Sequence, residues 1–133
     1  MVIDSSAILA ALFDEADRDF FLEALSQPSR KFMSAINYLE TSIVVEARKG
    51  PRGSQLLNEF LATIAIETLP FDASQSLVAF DAWRTYGKGR HPAGLNLGDF
   101  AAYALAKTLN QELLFKGDDF SRTDVAPYPG LRH

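Results

Sequence analysis

A chain of 133 residues, 47% apolar and 23% charged, has the size and balance of one globular domain with a single core, not of a disordered or fibrous chain. No apolar run approaches the ~18 residues of a bilayer span, and MVIDSSAILAALFDE lacks a basic leader and cleavage region, so the expected location is cytoplasmic. A net charge of −4 argues against indiscriminate coating of nucleic acid; the absence of cysteine, with only His91 and His133 present, excludes disulfides, thiolate catalysis and zinc–sulfur or all-histidine metal sites and leaves oxygen ligands.

MVID is a short β-prone run that passes directly into SSAILAALF, whose apolar spacing suits a helix. The helical segment EADRDFFLEALSQ stops before Pro28, and KFMS offers a second strand. Residues 35–49, AINYLETSIVVEARK, read as a helix ended by Gly50 and Pro51. SQLLNEFLATIA is again amphipathic, and IETLPF reads as a brief strand closed by a proline. ASQSLVAFDAWRTYGKG sets Leu77, Phe80 and Trp83 at helical spacing and ends at Gly87 and Gly89. The loop RHPAGLN leads into the helix of LNLGDFAAYALAK; QELLFKG then supplies a strand, DDFSRTD a turn and VAPY a last short strand. Short strands separated by helices predict one α/β domain over residues 1–133 with a mainly parallel sheet. Neither GxGxxG nor GxxxxGK[ST] occurs, so a nucleotide fold built on a glycine loop has no support.

The chemistry lies in the carboxylates. Asp4 ends the first strand and precedes a helix, which suits an N-cap, but the carboxyl end of a strand is also where open α/β sheets gather ligands. Ile36, Glu40, Ile43 and Ala47 trace one helical face, so Glu40 is expected on an apolar side, where a carboxylate needs a proton, a cation or a route to solvent. Asn96 suits a cap with Asp99 on the first turn, and the small residues Gly98, Ala101, Ala102 and Ala104 would let that helix approach a neighbour closely. Asp118 and Asp119 follow LLFKG, again at a strand end. Several carboxylates converging on one pocket raise one another's pKa unless a cation compensates, and Mg²⁺ or Mn²⁺ prefers such oxygen ligands. An ion of this kind activates water and stabilises charge on a phosphoryl oxygen.

The pieces MVIDSSAILA, SAINYLETSIVV, GKGRHPAGLNLGDFAAYALAK and LLFKGDDF, in that order and over nearly the whole chain, resemble the PIN-domain ribonucleases, specifically the VapC toxins of bacterial toxin–antitoxin modules. The resemblance implies a three-layer α/β/α sandwich with a mainly parallel five-stranded sheet. It also implies an acidic pocket that binds Mg²⁺, or Mn²⁺ in its place, and cuts single-stranded RNA as the toxin of a type II module. By motif position Asp4, Glu40, Asp99 and Asp118 fall on the family's acidic quartet, with Asp4 and Asp99 as direct metal ligands. Glu40 and Asp118, or Asp119 in its place, would orient water or help hold a second ion, and Ser6 falls where the family often keeps a hydroxyl. Lys116 stands where many relatives carry Ser or Thr, which leaves the choice between Asp118 and Asp119 open. The resemblance further implies a cognate antitoxin and a homodimer, for which Ile43, Val44, Leu56 and Phe60 offer apolar surface.

Basic residues should hold the RNA strand. Arg84, Lys88 and Arg90 are the candidates, and Arg48, Lys49 and Arg52 in EARKGPRG form a second basic cluster. A phosphoacceptor signalling domain would need further acids beside Asp4 and an aspartate ending a central strand, and DSSA and FMSA supply neither. A PIN-like module retained only for binding is the other alternative, although all four acids are in place.

Overall fold

The computed structural model describes residues 1–14, 16–87 and 94–131. Its sheet contains β1 (Val2–Ile3), β2 (Lys31–Ser34), β3 (Ile66–Leu69) and β4 (Leu113–Leu114), in the order β3-β2-β1-β4 with every pairing parallel. Parallel neighbours require crossovers. These are supplied by α1 (Ser5–Phe13), α2 (Arg18–Leu25), α3 (Ala35–Thr63), α4 (Ala73–Tyr86) and α5 (Leu97–Leu109).

Alternation along the strands builds two cores. Val2, Phe32 and Leu113 pack with α4 and α5, whereas Ile3, Met33 and Leu114 pack with α1, α2 and α3. Three layers result. Burial of both faces explains why β1 and β4 are apolar at consecutive positions.

The sheet has four strands where five were expected. VAPY contributes one parallel bridge, Leu113 to Pro127, with the Leu113 N–H donating to Ala126 O and the Tyr128 N–H to Leu113 O, each at 2.9 Å. β4 is two residues long, so there is no further strand for this segment to pair along. Pro127 lies between the two bonded residues, where its missing N–H costs nothing and blunts the outer edge.

The helix begun at Ala35 breaks at Gly50, as the Gly50–Pro51 pair predicts, and a second helical segment of α3 follows it; Gly50 itself is non-helical. At φ 69° it adopts a conformation that glycine takes without penalty, and Pro51 then starts the second half, where an N–H would have no helical partner. The chain leaves β1 to build β2 and β3 on one side and returns to the other side for β4. Strand order therefore reverses at β1, and Asp4 and the turn Lys116–Asp119 flank the crevice at the carboxyl ends of β1 and β4. Among the described residues no helix is long and apolar enough to cross a membrane.

Candidate active site

Asp4 does cap α1. Its Oδ2 accepts from the Ser6 N–H at 3.0 Å and from Ser6 Oγ at 2.5 Å, while Ser6 Oγ accepts from the Lys116 N–H at 2.9 Å. One hydroxyl thus ties the end of β1 to the end of β4. The cap does not exhaust the role of Asp4, which is only 5% exposed and faces other acids.

Asp99 likewise serves α5. Asn96 Oδ1 accepts from the Asp99 N–H at 3.1 Å, and Asp99 Oδ2 accepts from the Asn96 N–H at 3.0 Å, a reciprocal capping box. The box fixes the carboxylate at the mouth of the crevice with 7% of its surface exposed.

Glu40 reaches the same place from α3, though not from the face that sequence spacing suggested. The buried stripe of α3 near Glu40 is Asn37, Thr41 and Val45; Ile43 is 60% exposed and Glu40 half-buried. Polar residues occupy the core side because they are hydrogen-bonded there, which apolar periodicity cannot register. Gly98 receives the Glu40 carboxylate so closely that a Cβ on that glycine would lie 2.6 and 2.7 Å from its two oxygens. The small-residue stretch of α5 therefore admits an acid beside Asp99 as well as a neighbouring helix.

Asn37 is the organising residue that the sequence reading missed. Fully buried, its Nδ2 donates to Ser5 Oγ at 3.2 Å and to Gly98 O at 3.0 Å, joining the starts of α1 and α5 to α3. Ser5 Oγ and Thr41 Oγ1 in turn donate to Asn37 O at 3.2 and 2.7 Å. The available signal was an i, i+4 pair, Asn37 and Thr41, leading to Val45 inside an otherwise amphipathic helix.

The acids act on one another. Burial, chiefly, pushes Asp4 up to about 6, against two hydrogen bonds from Ser6, and the charges of Glu40 and Asp119 push the same way. Asp99 is pushed up to about 7, again mainly by burial, with Asp4, Asp119 and Glu40 adding repulsion and the Asn96 N–H opposing it. Of the two strand-end acids, Asp119 is the one whose charge adds to the upward push on both Asp4 and Asp99. Asp118 lines a separate cavity with Asp17, Phe20 and Lys116.

Lys116 does not neutralise the crevice. Its ammonium pairs with Asp14 and, at 3.2 Å, with Asp17. Arg84 is exposed on α4, paired with Asp81 at 3.2 Å and stacked over Phe80, while Lys88 and Arg90 lie outside the described residues.

The profile of the PIN domain matches residues 1–126. Ribonuclease VapC30 of Mycobacterium tuberculosis is 48% identical over 95% of this chain and 96% of its own length, and Ribonuclease VapC of Mycolicibacterium smegmatis is 48% identical over 95% and 98%. This chain belongs to the PIN-domain family, among the VapC ribonucleases. Solved PIN structures agree on the fold. M. tuberculosis VapC20, a Sarcin-Ricin loop cleaving toxin, superposes with a TM-score of 0.74 at 17% identity over 96% of this chain and 97% of its own. VapBC2 of Rickettsia felis, bound to a DNA fragment from its promoter, gives 0.74 at 16% identity over 95% and 94%.

Among the described residues no three Asp, Glu, His or Cys side chains form a ready-made metal cage. Two buried carboxylates with a half-buried third beside them are nevertheless a suitable donor set for a hard divalent cation, which takes one or two carboxylates and keeps much of its water. The PIN site fits such an ion on charge as well, since its acids lack a cationic partner within the crevice among the described residues.

Proposed function

We infer that this PIN domain is an Mg²⁺-dependent endoribonuclease, with Mn²⁺ able to substitute, and acts as the toxin of a type II toxin–antitoxin module. The observation that carries the reading is the convergence of Asp4 and Asp99, two buried acids drawn from distant parts of the chain, with the Glu40 carboxylate seated against Gly98 beside them. Ribonucleases of this family are metal-dependent. Asp4 and Asp99 would hold the ion; Glu40 and Asp119 would orient water or help bind a second ion. The ion supplies activation of water and stabilisation of charge on the phosphoryl oxygens of RNA.

The protein's own contribution is positioning. Ser6 fixes the rotamer of Asp4 through Oδ2 and is itself fixed by the Lys116 N–H. Asn96 fixes Asp99, and Gly98 leaves the space in which the Glu40 carboxylate lies. Asp119 is assigned over Asp118 as the fourth acid because only its charge bears on both Asp4 and Asp99. Residues 1–133 are read as a single functional domain.

An antitoxin partner is supported by the solved relatives, which include a toxin–antitoxin complex from Klebsiella pneumoniae. For a homodimer, Leu39, Ile43 and Leu56 offer exposed apolar surface on α3, whereas Phe60 packs against the protein's own core. The test is to replace Asp4 or Asp99 by Asn, confirm the fold by circular dichroism, and measure Mg²⁺-dependent cleavage of cellular RNA. Loss of cleavage together with loss of growth arrest on expression is expected; full cleavage by both variants would refute the assignment.

A further inference from the structure

Next to the acidic crevice, the last turn of α1 brings Phe13 to an open cavity of about 620 Å³, whose walls include Ser6, Leu9, Asp14, Arg48 and Lys116. Ser6 belongs to both places, since its Oγ donates to Asp4. The cavity therefore adjoins the acids directly. The Arg48 guanidinium carbon sits 5.3 Å from the centre of the Phe13 ring, and the Lys49 ammonium 5.8 Å from it. Arg48 follows Glu40 by eight residues on α3, which sets it ~12 Å along the helix from that acid at 1.5 Å per residue.

Arg48 and Lys49 are exposed, and among the described residues neither makes an ion pair. Lys116 differs, because Asp14 and Asp17 already match its charge. One cation near the end of α1 would suffice to offset the helix dipole, yet two lie over the same ring. An aromatic face capped by a guanidinium, with a second cation beside it, is a combination that takes an unpaired base and its phosphates: bases stack on rings and guanidinium planes, and Lys or Arg neutralises the backbone.

We propose that Phe13, Arg48 and Lys49 form a subsite for single-stranded RNA beside the acidic crevice, stacking one base on the exposed face of the Arg48 guanidinium, which the half-buried Phe13 ring backs and holds in place, and meeting the adjoining phosphates with Arg48 and Lys49. It rests on the ribonuclease reading for its ligand. An acidic protein surface would find the same two cations, but it gains nothing from the ring beneath them. Arg84, which is already paired on α4, then need not take the strand.

The test is fluorescence anisotropy with a labelled short oligouridylate, without divalent metal, over a series of KCl concentrations. The double variant Arg48→Gln/Lys49→Gln should lower the slope of log K against log salt by about 1.4, at ~0.7 for each phosphate no longer neutralised. Phe13→Leu should weaken binding roughly 5- to 100-fold with the slope unchanged. Arg30→Gln, at the amino end of β2, should alter neither. Variants that retain wild-type affinity and slope, or an Arg30→Gln effect as large as that of the double variant, would overturn the subsite. Absence of cleavage by the wild type with Mg²⁺ or Mn²⁺ would overturn the ribonuclease reading separately, whatever the binding data give.

Discussion

Asp99 sits on the first turn of α5 and Asp124 lies against the same helix, and their surroundings drive them in opposite directions. Asp124 accepts from Tyr103 Oη at 2.5 Å and from Lys107 Nζ at 3.0 Å, and the tyrosine's hydrogen bond, above all, holds its carboxyl below the ordinary aspartate value. Asp99 is buried among acids and pushed up to about 7. The first has its donors and works as a strut between α5 and the C-terminal segment. The second lies among other acids with no such cationic donor among the described residues, and that difference in surroundings, not residue type, is what the proposed metal-binding role of Asp99 rests on.

The sharpest way to break the contrast is pH. A group whose pKa is raised on folding binds more protons folded than unfolded, so Asp99 contributes stability that is present below its unfolded value near 3.8 and lost as pH rises through about 7. Metal-free protein should therefore lose thermal stability between roughly pH 4 and 7, and Asp99→Asn should flatten that slope while reducing cleavage by at least about 100-fold. Asp124, with its pKa lowered, has the opposite sign: its contribution is present above the unfolded value and lost as pH falls below it. Calorimetric unfolding across this range distinguishes the two acids. Added Mn²⁺ should restore stability at pH 7 and release protons, detectable by titration calorimetry in buffers of different ionisation enthalpy.

Gly98→Ala comes next in size. The added Cβ would strike the Glu40 carboxylate, the far end of a side chain that can move, so cleavage should fall about 10- to 100-fold. Stability should hold or rise, since alanine favours a helix by ~0.5–1 kcal/mol. A fall in both would show that the glycine serves packing instead. Asn37→Ala removes buried bonds to Ser5 and Gly98 and should cost ~1–3 kcal/mol in denaturant unfolding. Tyr103→Phe should cost the least, about 0.5–1.5 kcal/mol, and leave cleavage unchanged, as befits a strut.

Much of this was legible in the chain because it is local. Asp4 and Asn96 cap the helices that follow them, Gly50 and Pro51 mark a break in α3, and the apolar strand runs call for a sheet covered on both faces. The fifth strand and the burial of α3 were misjudged where pairing or hydrogen bonding across the fold decided the outcome. VAPY has the composition of a strand but only a two-residue neighbour, and Asn37 has the composition of a surface but lies in the core.

Sequence alone determined the helices, the parallel class and the acids worth watching, since capping, periodicity and strand ends act over a few residues. Only the tertiary structure decided that Asp4 and Asp99 are both buried, that Lys116 turns to Asp14 and Asp17, and that Gly98 makes room for Glu40. The physical reason is that repulsion, ion pairing and steric fit depend on distances between side chains far apart along the backbone, and those distances do not exist until the layers have packed.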